Sequence, residues 1–266
     1  MATDAAVVVR GGRVTVSGCD LSDNTSRIDT VVVGIGGVFG REGAEIVISD
    51  NEIRNNGWDG VALYRGATAF IGDNVIADGR GAGIGITWDA VAVVYRNRIS
   101  GYWKGIGTFG DSRAVVKRNV VFDNLGWGII ATGTSFLDAS NNVVYRNGNC
   151  GIAVWSETCS ARFTNNIVAL NGWREEWVCP RVGIWINGVN ERVEFSYNDV
   201  WGNTAGQYEG IEDQTGINGN LSIDPRFSEA GLFIPPEGSV LWDAGNPLIT
   251  DPDGTRSDIG IGDNPR

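Results

Sequence analysis

The chain has 266 residues, with 32 acidic against 21 basic side chains and a formal charge of -11 at neutral pH. That balance repels a nucleic-acid backbone from most of the surface, and Lys104 and Lys117 are the only lysines. The absence of histidine excludes Ser-His-Asp triads, histidine general bases and the usual zinc sites, and no apolar run is long enough for membrane insertion.

Met1 to Asp4 do not read as a signal peptide, so the chain is expected to be soluble as given. From Cys19 onward one unit recurs. Asn51, Asn74, Asn97, Asn119, Asn142, Asn166 and Asn198 take its first slot, each with an aliphatic residue two places later. A second Asn often follows, as at Asn24, Asn56, Asn124, Asn147, Asn171 and Asn203. A glycine then opens a hydrophobic strand: Gly37, Gly60, Gly83, Gly105, Gly128 and Gly151 are spaced 23, 23, 22, 23 and 23 residues apart. Such a period signals stacked coils and predicts one domain over 1–266, with coils to 210 and a closing cap over 211–266.

The unit at Gly60 reads as three short strands: Val61 to Tyr64, Thr68 to Ile71 and Val75 to Ala77, with turns at Arg65-Gly66 and Asp73-Asn74. Two columns alternate inward, one from Val61 through Ile84, Ile106 and Ile129, the other from Leu63 through Ile86, Thr108 and Ala131. The Asn columns are structural in this reading: the residue tolerates the left-handed bend, and its amide can bond the Asn of the next coil.

Tyr64, Thr87, Phe109, Thr132, Trp155 and Asn187 point outward after the first strand. Rings on alternate coils would lie about 10 Å apart at a rise of about 4.8 Å per coil, a spacing able to stack on an extended sugar chain. Trp58, Trp88, Trp103, Trp127 and Trp185 flank the same strand; the alternative is that some of them pack on one another. Asp89 and Asp111 share a column on neighbouring coils, with Glu157 further along it. Carboxylates about 5 Å apart would suit a retaining glycosidase or a shared Ca²⁺; the competing reading is solvated turn acids. Cys159 and Cys179 flank an irregular stretch, 171–180, which lengthens the coil between Gly151 and Gly183 and contains Trp173, Arg174, Glu175, Glu176 and Trp177; a disulfide would staple it. The alternative is free buried thiols, Cys19 and Cys150 among them.

The Asn-x-aliphatic-x-x-Asn-x-x-x-Gly-Ile unit resembles the right-handed parallel β-helix of the pectate-lyase-like superfamily, of secreted bacterial type. The segments Tyr197 to Ile211, Gly219 to Phe227 and Gly238 to Gly262 resemble the irregular cap of that group, with Asp251, Asp253 and Asp258 as turn acids or Ca²⁺ ligands. The resemblance implies an all-β fold, an extracellular or cell-surface location, and a polysaccharide lying along the first strand and its turn. It also implies a lysine base, here Lys104, with Arg65 or Arg113 nearby and Asp59, Asp89 and Asp111 as Ca²⁺ ligands. The substrate contacts would be Tyr64, Arg65, Trp88, Phe109, Arg113, Trp155, Glu157 and Asn187. The expected activity is β-elimination at a uronate through Lys104 or hydrolysis through Asp89 and Asp111; the negative charge favours a neutral glycan. The Trp-Ile-Asp-His, Asp-Asp, Gly-His-Gly and Asp-Pro-His-Glu motifs of related enzymes are absent, which keeps a non-catalytic binding or spacer module as the rival. An ice-binding surface lacks the required threonine array. The chain is expected to act as a monomer, although its open strand edges permit end-to-end association.

Overall fold

The computed structural model describes residues 4–28, 31–175, 179–227 and 231–262. Met1 to Thr3, Glu176 and Trp177, all used in the sequence reading, lie outside them. Short β-branched segments broken by Gly, Asp and Asn every few residues fold as short strands. In the Gly60 coil these are Val61–Leu63, Thr68–Gly72 and Val75–Ala77. Each strand pairs in parallel with its counterpart one coil away, so that Val61 faces Ile84, Ile84 faces Ile106 and Ile106 faces Ile129. Three parallel sheets result. Among the described residues the first has nine strands from Asp4–Arg10 to Tyr208–Glu209, the second eight and the third seven. A small antiparallel hairpin joins Ser26–Ile28 to Val31–Val33. The fold is a parallel β-helix. Both predicted inward columns are buried in one continuous core, which includes the polar Thr108.

The corners correct one part of the sequence reading. The left-handed residue is not the ladder Asn but its predecessor: Asp50, Asp73, Arg96, Arg118, Asn141, Asn165 and Tyr197 all have φ between 54° and 58°. Turning the chain there aims the following amide inward, where it bonds along the stack. Asn142 Nδ2 donates to Val116 O and Asn166 Oδ1, while its Oδ1 accepts from Asn119 N and Nδ2, all within 3.0 Å. The ladder runs unbroken from Asn51 to Asn220. In the second ladder, Gly79 and Tyr102 replace Asn in two successive coils. Tyr102 is fully buried, and its ring fills the place where a Cβ on residue 79 would stand, 2.2 Å from Cε1. The strand-opening glycines have a steric cause: a Cβ at Gly60 would meet Ile76 Cγ2 at 2.5 Å and Gly83 O at 2.7 Å.

The C-terminal segment closes the last coil only in part. Tyr208 and Ile211 pack on the core end, and Asn220 and Leu221 extend the Asn ladder and third sheet by one step. Beyond Leu221 the chain returns along the outer face of the third sheet. There Phe233, Leu241, Ile259 and Ile261 form a second core with Val120, Val143 and Ile167. Arg118 pairs with the buried Asp251, Arg98 Nη2 donates to Gly231 O, and Asn141 Nδ2 donates to Asp258 O. Asp253 accepts from Thr255, and Asp258 from Asp243 N, so the acids expected to serve turn chemistry do so.

Candidate functional site

Three side-chain columns line the outer face of the first sheet. The central one contains Ala62, Gly85, Gly107, Ile130, Ala153 and Trp185. Asp59, Ala82, Lys104, Trp127, Cys150 and Val182 precede it, and Tyr64, Thr87, Phe109, Thr132, Trp155 and Asn187 follow it. Over the small central residues the following aromatics fold back along their own strands. The Tyr64 hydroxyl donates to the Asp59 carboxylate, which carries the ring across Ala62, and Ala62 is fully covered although it points outward. Phe109 lies over Gly107, where a Cβ would meet its ring at 2.4 Å, and Lys104 Nζ sits 5.6 Å from the centre of that ring. The intervening coil places Gly81, Ala82 and Gly85 beside the carboxylate, and no ion pair closes between Asp59 and Lys104 among the described residues. An acid and a base thus face one another across a place lined by small side chains.

Burial shifts both groups toward neutrality. It pushes Asp59 up to about 6, against the Ala82 amide at 2.6 Å, the Lys104 charge and the Tyr64 hydroxyl. It lowers the Lys104 ammonium, which the Asp59 charge partly restores. Burial and Asp59 together raise the Tyr64 phenol, keeping it a donor.

Residues 36–200 match the family described as "Right handed beta helix region". The chain belongs to the right-handed β-helix family. No curated protein matches it. Two solved structures are similar to this β-helix. The pectate lyase Pel9A shares 12% identity, with 97% of this chain and 87% of that one covered and a TM-score of 0.49. A double mutant of the periplasmic alginate epimerase AlgG shares 14% identity over 66% of this chain, with a TM-score of 0.40; the β-helix here spans half of that protein's length.

The remaining expected site residues of this β-helix are dispersed. Asp89 follows Trp88 in the turn after the strand, and its Oδ1 accepts from Gly66 N at 2.6 Å, on the coil opposite Asp111. Asp111 and Glu157 are exposed in the same column. Asp59 stands at the other end of the first strand, so the proposed Ca²⁺ ligands Asp59, Asp89 and Asp111 do not converge. No group of three acidic or cysteine side chains able to hold a metal occurs among the described residues. The donors do not fit a calcium site. Arg113 is exposed on the second sheet, and Arg65 lies 5.3 Å over the Trp88 ring; neither accompanies Lys104. Trp88 is 39% exposed and 5.8 Å from the Tyr64 ring, which extends the aromatic surface toward the turn.

Further along the same face, Trp103, Trp127, Trp155 and Trp185 form a chain of edge-to-face contacts with centroids 5.7, 6.0 and 5.1 Å apart. Trp127 is buried and Trp155 half-buried, so much of this aromatic set packs on itself, as the alternative reading of those rings held. Asn187 is exposed and donates to Trp155 O at 3.0 Å. The excursion lies alongside: Arg174 stands 5.0 Å over Trp103, and Trp173 Nε1 donates to Arg146 O.

The expected Cys159–Cys179 pairing is incorrect. Cys159 lies inside the solenoid, 3.8 Å from Ser135 Oγ, whereas Cys179 Sγ is 3.0 Å from Cys150 Sγ. Cys150 occupies the outward column of Asp59 and Lys104, and that placement was the available signal. The sequence reading also missed the small residues Ala62, Ala82, Gly85 and Gly107, which were visible as a column lacking bulk.

Proposed function

We propose that this β-helix engages an extended polysaccharide along the outer face of its first sheet and performs proton-transfer chemistry there through Lys104 and Asp59. The supporting observation is the Asp59, Tyr64 and Lys104 cluster, partly dehydrated and set about Ala82 and Gly85 with aromatic rings on both flanks. Burial lowers the Lys104 ammonium, so this side chain gives up its proton more readily than an exposed lysine, the direction that abstraction of the proton beside a uronate carboxylate requires. In such a β-elimination the C–H electrons form the new double bond and expel the glycosidic oxygen, which takes a proton from an acid on the same face; the Tyr64 hydroxyl and protonated Asp59 are the donors at hand. Hydrolysis through Asp89 and Asp111 is less well supported, because one Asp89 oxygen is engaged by the Gly66 amide. We place the protein outside the cytoplasm, acting as a monomer. The second reading, a glycan-binding module without turnover, rests on the same rings of Tyr64, Trp88 and Phe109.

A panel of neutral and uronate polysaccharides, assayed together for reducing ends and for absorbance of unsaturated product, tests this reading. Unsaturated product that disappears in Lys104→Ala and persists in Asp89→Ala/Asp111→Ala is expected. Reducing ends without unsaturation, lost in the double Asp variant, would transfer the chemistry to the turn acids. Tryptophan fluorescence shifts on glycan addition without product would leave the binding module.

A further inference from the structure

We propose that Cys150 and Cys179 are a cross-linking site: a disulfide between them ties Cys179 to the outer face of the first sheet beside the tryptophan chain. Two sulfurs 3.0 Å apart are closer than non-bonded sulfur atoms rest, and both side chains are buried together with Trp127, Ala153 and Val182. The other two thiols are excluded by position. Cys159 Sγ faces Ser135 Oγ and Gly133 O within the solenoid, and Cys19 is exposed on the first coil. The excursion is also held independently of sulfur, by Arg174 N to Gly148 O and by Arg181 Nε to Gly172 O. Its approach to Cys150 therefore exists before any bond forms.

The oxidant is a small-molecule disulfide. Its S–S bond is cleaved in two exchange steps to give two thiols, while Cys150 and Cys179 together lose two protons and two electrons and gain one S–S bond. Burial raises the Cys150 thiol well above its ordinary range, which slows the reverse attack by external thiolates. The cross-link closes a loop of about 30 residues, long enough for its loss to lower Tm by on the order of 5 °C. It also fixes Arg174 against Trp103.

The test is thiol counting on the full chain equilibrated with excess oxidised glutathione and then unfolded in acidic denaturant, with a glutathione adduct on the exposed Cys19, read by mass, counted among the thiols. Wild type is expected to show two remaining thiols. Cys159→Ala is expected to retain the cross-link with one thiol, whereas Cys150→Ala and Cys179→Ala lose it. Because no Lys or Arg separates Cys150 from Cys159, the bridge is located by cleavage after Glu157 followed by mass measurement. Four free thiols in oxidised wild type, or a bridge that survives Cys150→Ala, would overturn the proposal. So would a wild-type Tm unaffected by reductant once the bridge has been mapped.

Discussion

Tyr64 donates its hydroxyl to Asp59 at the other end of the same first strand, and its ring closes over Ala62 to do so. The bond couples an aromatic surface to the titration of a buried acid. Replacing Tyr64 with Phe keeps the ring but removes the donor, so the Asp59 carboxyl is expected to titrate above its present value of about 6. Lys104→Met acts in the same direction by removing the nearby positive charge. Carboxyl carbon shifts followed from pH 4 to 9 would show both; a midpoint unchanged in either variant would break the link between these three residues.

Stability should decline from mildly acidic to alkaline pH. Asp59 rises on folding from 3.8 to about 6 and Asp199 from 3.8 to about 7, both chiefly through burial. The native state then holds protons more tightly than the unfolded chain. The associated stability is fully present below about pH 4 and is lost as the pH passes through the raised values. The shift at Asp59 corresponds to about 3 kcal/mol as an upper bound. Asp213 and Asp253, held low by their Thr contacts, act in the opposite direction only in stronger acid. Thermal melts are expected to give a higher Tm near pH 5 than at pH 8. Asp199→Asn should flatten that slope while its oxygen still accepts from Ile223 N.

The Asn ladder predicts a position-dependent cost. Asn142→Ala removes four short bonds from a fully buried site, and a loss of about 2–4 kcal/mol is expected in urea unfolding. At the open end, Cys19→Asn is expected to be neutral or stabilising by about 1 kcal/mol, since Cys19 N already donates to Asn51 Oδ1 and the new amide would add a second donor.

Gly60→Ala places a methyl group against both Ile76 and the Gly83 carbonyl, so the strand must move away from its neighbour. A loss of about 3 kcal/mol or more is expected from overpacking against backbone. Gly216→Ala, where a Cβ meets nothing within 4 Å but φ is +81°, isolates the cost of the left-handed backbone alone and should be smaller.

Arg118→Leu leaves the Asp251 carboxylate buried without its cation, with an expected cost of about 3–5 kcal/mol. The double variant Arg118→Leu/Asp251→Leu is expected to recover part of that loss. Equal stabilities for the single and double variants would show that the pair does not anchor the return segment.

The regular part of this molecule was legible because each buried position recurs. Ile84 is opposite Val61 and Ile106 for the same reason that all three occupy one slot of the repeat. The site was only partly legible. Lys104 and Asp59 could be placed in one column, but the folding back of Tyr64 and Phe109 depends on Ala62 and Gly107 being small, a relation between columns rather than within one. The approach of Cys150 to Cys179 was not legible because proximity in sequence to the excursion favoured Cys159, whereas the direction of the side chain decides which thiol meets Cys179. The sequence beyond Leu221 carries no period, so nothing in the spacing foretold that Phe233, Leu241, Ile259 and Ile261 would lie against the third sheet.

That returning segment changes how the molecule comes apart. A bare stack of coils communicates only with its neighbours and can fray from either end. Here Arg98 is tied to Gly231, Arg118 to Asp251, and Asn141 and Asn165 to Ser257, each joining residues roughly a hundred positions apart. The later coils are laced together by a strap that reaches its place only after residues 231–262 have been synthesised, whereas no such tie to the earliest coils occurs among the described residues. Under force or partial denaturation the amino-terminal coils should peel away singly, and the strapped portion should give way in one event.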